Sequence, residues 1–126
     1  MESKILRWFP ALLMMATIFG SSSVPATELP NFGPWDLVVK KGGHVLGYAF
    51  LALAFWAGLH FDRHRWCLVL LFTLVYAASD EFHQSFVPGR HPSWVDVIGF
   101  DGGGAGFALG LAYWARLKRN LSLKSE

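Results

Sequence analysis

The stretch ASDEFHQSFVPGRHPSWVD, residues 78–96, gathers most of the side chains in this chain that could do chemistry. On a helix, residues three and four apart share a face, so Asp80, His83 and Gln84 line one side and Glu81 adjoins Gln84. Upstream, Lys41, His44 and Tyr48 stand three and four apart and form a second stripe. Asp96 and Asp101 open the last apolar stretch, and Arg90 lies in the Pro/Gly loop before it. Acid/base work would fall to Asp80, Glu81 and His83, with His83 or Glu81 moving the proton and Asp80 orienting the imidazole. Binding would fall to Lys41, His44, Tyr48, Gln84, Arg90 and Asp96. The planar fork of Arg90 suits a phosphate or carboxylate better than it suits capping loop carbonyls. Nitrogen and oxygen ligands for a metal are present in His44, Asp80, Glu81, His83 and Asp96. HExxH and CxxC spacings are absent, so no metal and no cofactor are expected. No serine elbow or other nucleophile motif occurs, although Ser79 and Ser85 flank the block. The plainer alternative is mutual neutralisation of acids and bases, with Lys40 and Lys41 snorkelling to headgroups.

The elements that must position these groups are apolar. The chain has 126 residues, 53% hydrophobic, 16% aromatic and 16% charged. Its mean hydropathy is +0.35. A single domain of this size cannot hide so much apolar surface in its own core, so lipid is the expected solvent. Apolar runs at Ile5–Gly20, Val45–Leu59, Trp66–Ala78 and Val95–Ala115 predict four transmembrane helices, over about 5–22, 42–60, 66–85 and 95–115. The expected fold is an all-α, polytopic, single-domain membrane protein over residues 1–126. The second and third runs reach spanning length only if their polar ends join the helix, which carries Asp80 to Gln84 to the membrane boundary. Pro88-Gly89 then ends the third helix.

With the N-terminus inside, eight Lys/Arg fall on the inner side (Lys4, Arg7, Arg63, Arg65, Arg116, Lys118, Arg119, Lys124). Three fall outside (Lys40, Lys41, Arg90), which favours N-in/C-in. All the polar segments above then meet at one outer level. Ionisable groups at membrane depth are costly and mark function by default. The first run, with Lys4 and Arg7 before it and Ser-Ser-Ser-Val-Pro-Ala after it, also fits a signal peptide cleaved after Ala26. Retention as a helix is the favoured alternative. Gly102, Gly106 and Gly110 form one small-residue row, and Gly99 and Gly103 another. Such rows let helices approach closely, within one chain or in a homo-oligomer. Gly102-Gly103-Gly104 follows no strand and no P-loop Lys follows it, so a nucleotide site is unsupported. No nucleic-acid partner is expected. The lone Cys67 excludes an intrachain disulfide. Trp35, Trp56, Trp66, Trp94 and Trp114 suit interfaces or packing, and His60 and His64 belong to a polar turn.

The segments KKGGHVLGYAFLAL and YAASDEFHQSFVPGRHPSWVDVIG, with the Gly-rich last helix, resemble the VanZ-like family over about residues 35–115. These are small four-helix bacterial membrane proteins named for an accessory determinant of teicoplanin resistance. The resemblance implies a multi-pass protein of the bacterial cytoplasmic membrane and cell envelope, with a role touching glycopeptide susceptibility. It assigns recurrent polar positions to Lys41, His44, Tyr48, Asp80, Glu81, His83, Gln84, Arg90 and Asp96. The family also keeps its first helix. One departure stands out. The family places Asn or Asp four residues after the Asp96 position, where this chain has Phe100, with Asp101 one place later. A one-residue offset turns a side chain about 100° around an α-helix, which would point Asp101 elsewhere.

Three functions follow as expectations. The first is a non-catalytic envelope factor whose outer-leaflet pocket binds the headgroup of a membrane lipid, a lipid-linked sugar or a glycopeptide. The second is an intramembrane enzyme acting on a lipid-linked phosphate or ester. The third is a proton or ion path through Asp80, Glu81, His83 and Asp101, against which stand the small bundle and the absence of an inverted repeat.

Overall fold

The computed structural model describes residues 4–124 and contains no strand among them. Four helices carry the fold: α1 (Lys4–Ser22), α2 (Asp36–Gly58), α3 (Trp66–Gln84) and α4 (Gly102–Ser122). A π-helical turn, Asp96–Asp101, leads into α4. Short 3₁₀ turns at Ala26–Glu28, Gly33–Trp35 and Arg63–Arg65 mark the connections.

α2 starts at Asp36, earlier than the glycine pair that the hydropathy run suggests. Pro34 sits in the turn before it, and Asp36 in the first turn favours the helix dipole. Asp36 also pairs with Lys40 one turn on, at 2.7 Å. Lys40 and Lys41 are therefore helical. Asp62 caps the Arg63–Arg65 turn that leads into α3, its carboxylate accepting the His64 N–H at 2.9 Å.

α2 is the central element and packs against each of the other helices. Its residues Tyr48, Leu51, Ala52, Phe55 and Trp56 meet Ala11 and Ile18 of α1, Val69 and Ala77 of α3, and Ala105 and Leu109 of α4. Two glycines set the closest approaches. A Cβ on Gly104 would collide with the backbone carbonyl of Val45, so α4 lies directly on α2. A Cβ on Gly58 would sit 2.8–3.0 Å from the Trp8 ring, which lies flat on the bare α2 backbone. The glycine rows drawn from spacing do not carry this packing. A Cβ on Gly102 would lie 2.9 Å from Leu74 and 3.2 Å from the Val97 carbonyl, but nothing lies within 4 Å of a Cβ at Gly103, Gly106 or Gly110, and the Cβ of Gly99 would meet only Val95. Gly104, outside both rows, makes the contact.

The exterior is apolar. Leu12, Leu13 and Phe19 on α1, Leu46 and Phe50 on α2, and Leu71 and Val75 on α3 are all exposed. Length and hydropathy together qualify two segments to cross a membrane, Lys4–Ser22 and Gly33–Gly58. The third and fourth spans expected from the sequence do not pass that joint test. α3 carries Asp80 and Glu81, and α4 ends in Arg116, Lys118 and Arg119.

Candidate functional site

The polar groups of α2, α3 and the π-helical turn converge on one end of the bundle, and α1 adds a residue that spacing alone did not reveal. Asp80 is buried at its centre. Its Oδ2 accepts three hydrogen bonds, from the Ser22 hydroxyl at 2.8 Å, the Gln84 amide at 3.0 Å and the Tyr48 hydroxyl at 3.2 Å. Gln84 also donates to Ser22 at 3.3 Å. Three residues, one from each of three helices, thus close on one carboxylate oxygen. The other oxygen, Asp80 Oδ1, is buried without a partner. Ser22 is 4% exposed. It lies at the end of an apolar helix in a serine run, where nothing in the sequence separates it from Ser21 or Ser23.

A second set lies beside the first. Lys41 forms an ion pair with Asp96 and rests over the Phe100 ring, 5.2 Å from its centroid. His44 Nδ1 meets Asp101 Oδ1 at 3.1 Å. Asp101 is 1% exposed, and its Oδ2 also has no partner. The expectation that Asp101 points elsewhere is therefore overturned. The helix is π-wound from Asp96 to Asp101, so that residues five apart lie over one another. The wider turn absorbs the extra residue and returns Asp101 to the side that Asp96 occupies. π-bulges of this kind recur at functional sites.

Glu81 is buried, and its Oε2 accepts the Ser93 backbone N–H at 2.7 Å. That bond ties α3 to the loop leading into α4. His83 stands apart from Asp80. It stacks on Phe19 with centroids 4.3 Å apart, and its Nε2 meets the Ser23 hydroxyl at 2.9 Å. The Asp80–His83 pairing required by the acid/base arrangement is not formed. Successive residues turn by about 100°, so Glu81 and His83 flank the Asp80–Gln84 stripe on opposite sides. One faces the loop before α4, the other faces α1.

Arg90 takes the role that the sequence placed second. Its Nη2 donates to the Ser21 carbonyl at 2.9 Å and its Nε to the Val24 carbonyl at 3.1 Å. It thereby holds the α3–α4 loop against the end of α1. The Ala26 N–H donates to the Pro88 carbonyl at 3.1 Å across the same seam. Gly89, at φ +74, lies where a Cβ would come within 2.9 Å of Ala26, so glycine meets both the conformation and the space.

A cavity of about 230 Å³ opens against this cluster. Ser21, Ser22, His44 and Tyr48 line it, with Lys40 and Arg90 at its edge and Gly43 and Gly47 leaving room on the α2 side. A larger, mainly apolar hollow of about 500 Å³ lies between Trp56, Trp66, Leu109 and Tyr113 at the opposite end of the bundle.

Comparison with known proteins adds one finding. A protein-family model described as VanZ/LLP1 matches residues 7–116, from the first turns of α1 to near the end of α4. No curated protein and no solved structure matches the chain.

Proposed function

The chain belongs to the VanZ/LLP1 family, and from that premise we propose that it is a four-span envelope protein that binds an anionic lipid headgroup in its polar cavity. The observation that carries this reading is the cavity itself. It joins Lys40, His44 and Arg90 to the hydroxyls of Ser21, Ser22 and Tyr48, at one level of an otherwise apolar bundle. The charges of Lys40 and Arg90 beside His44 on one wall suit phosphate oxygens, while the hydroxyl protons of Ser22 and Tyr48 stay with Asp80. The size decides between ligands. About 230 Å³ is space for a phosphate and a few neighbouring groups, below the range of about 300–1,000 Å³ that encloses a drug-sized molecule. A lipid headgroup fits. An entire glycopeptide does not, so any influence on glycopeptide susceptibility would pass through the lipid.

The four-span arrangement rests on length and exterior chemistry. α1 and α3 have 19 residues each, α2 has 23 and α4 has 21. At 1.5 Å per residue these run about 28–35 Å, against a hydrocarbon core of about 30 Å. Hydroxyls along the helices turn back onto their own backbones, as Thr17 does to Leu13 and Thr73 to Val69, both at 2.9 Å. Arg63, Arg65 and Arg116 sit at the end away from the cavity, which by the positive-inside rule supports an outer-leaflet position for it. α1 supplies Ser22 to the cluster, and the family match covers most of it, which supports retention of this helix over its cleavage. The setting is the bacterial cytoplasmic membrane.

The test is thermal. Phosphatidylglycerol added to the protein in maltoside micelles should raise its melting temperature, and phosphatidylcholine should raise it less. Gly43→Leu grows a side chain from a cavity-lining position with open space around it. It should abolish the difference. Equal stabilisation by both lipids, or an unchanged response in Gly43→Leu, would remove the headgroup reading.

A further inference from the structure

We propose that His44, Glu81 and Asp101 hold a divalent cation of the zinc or manganese class at the wall of the cavity. One ligand atom from each of the three lies within 4.8 Å of the others. Metal–ligand bonds of about 2.1 Å place the ligand atoms of one ion about 3–4.2 Å apart. His44 Nδ1 and Asp101 Oδ1, at 3.1 Å, already stand at that separation. Bringing the widest separation, at most 4.8 Å, into that range takes a combined side-chain shift of about 0.6–1.8 Å.

Three further observations point to an ion. Asp101 is 1% exposed and its Oδ2 has no partner. A carboxylate oxygen so placed has a full desolvation penalty and nothing to offset it. The second observation is charge. Asp80, Glu81 and Asp101 are 3%, 6% and 1% exposed. Lys41 is engaged by Asp96 and Arg90 by the Ser21 and Val24 carbonyls, so three buried carboxylates share a single imidazole. Buried charges are otherwise paired or metal-bound. The third is the π-helical turn, which brings Asp101 onto His44 at a cost in helical regularity.

The residues also sort themselves. Of the ligands weighed from sequence, His83 is held by Ser23 and Phe19, Asp80 Oδ2 by three neutral donors, and Asp96 by Lys41. His44 and Glu81 remain, and Asp101 joins them. Glu81 keeps its Ser93 bond through Oε2, which orients the carboxylate as ligands in metal sites are oriented. One imidazole with two carboxylates favours zinc or manganese over the all-oxygen shells of calcium and magnesium. Three protein ligands leave at least one coordination position open. His44 lines the cavity, so that position meets whatever enters it. The cation site stands without the lipid reading and is tested without lipid.

The experiment is metal loading of the full-length protein in maltoside micelles, stripped by chelator and incubated with zinc or manganese chloride. Bound metal is read by mass spectrometry, and manganese also by electron paramagnetic resonance. The wild type should retain about one equivalent. Glu81→Gln and Asp101→Asn should each weaken retention by at least about tenfold, whereas His64→Ala, away from the cluster, should match the wild type. Glu81→Gln keeps an amide oxygen for the Ser93 N–H, so its fold survives and its result decides even if Asp101→Asn misfolds. Circular dichroism and elution volume verify the fold of each variant. A wild type that retains no stoichiometric ion, or a folded Glu81→Gln that retains as much as the wild type, overturns the site.

Discussion

Gly104→Ala offers the sharpest check on how the helices position the polar cluster. The added Cβ would meet the Val45 carbonyl oxygen and lie 3.1 Å from the Val45 carbonyl carbon and Cα. The obstacle is backbone, so no side chain can swing aside and α4 must move off α2. Overpacking of this kind costs about 1–3 kcal/mol. Gly103→Ala, one residue away, has nothing within 4 Å of its new methyl and should gain about 0.5–1 kcal/mol of helix stability. The two neighbouring alanines should therefore differ by about 1.5–4 kcal/mol, in opposite directions from the wild type. Reversible unfolding in mixed bicelles measures this. Gly104 lies three residues after Asp101, and Val45 follows His44, so the same shift should also pull the His44–Asp101 contact beyond 3.1 Å. If Gly104→Ala is as stable as Gly103→Ala, the close packing of α2 and α4 that assembles the site is wrong.

Further predictions test the cluster and the seam around it. Tyr48→Phe removes one of three donors to Asp80 Oδ2 and should cost about 1 kcal/mol in the same unfolding assay. Asp80→Ala strands Ser22, Tyr48 and Gln84 together and should cost several times more, about 3–5 kcal/mol. Arg90→Ala removes the bonds to the Ser21 and Val24 carbonyls. It should speed proteolysis within residues 23–35 by about tenfold, and Arg90→Lys should restore only part of the protection. Topology is tested with a membrane-impermeant maleimide on intact cells. The exposed Cys67 should stay unlabelled, while Glu28→Cys in a Cys67→Ser background should label. Labelling of the native Cys67 would reverse the orientation.

The helices and the two polar stripes were legible because their signals are local. Apolar runs bounded by turns located α1 to α4, and the spacing of Lys41, His44 and Tyr48 put them on one face, where all three reach partners in α3 or the π-helical turn. Asp80 and Gln84, four apart, likewise share a buried face. What escaped was set by register and by neighbours in space. No residue type announces a π-helical turn, so an α-helical count misplaced Asp101 by about 100°. In the glycine-rich opening of α4, five glycines in eight residues leave the contact face undetermined by spacing. Only the position of Val45 selects Gly104. His83 lies on the edge of the Asp80 stripe, and α1 draws it away through Phe19 and Ser23. Ser22 gains its role solely from meeting α3. Arg90 could be seen as an anion binder from its chemistry, but the end of α1 draws its Nε and Nη2 onto the Val24 and Ser21 carbonyls.

The headgroup reading is tested most directly by native mass spectrometry of the protein released from native-membrane discs, with Gly43→Leu beside the wild type. The wild type should carry a phosphate-bearing lipid at a defined stoichiometry, and Gly43→Leu, its cavity filled, should lose that mass while retaining other annular lipid. The account is contradicted if the wild type carries no such lipid, or if Gly43→Leu carries it equally.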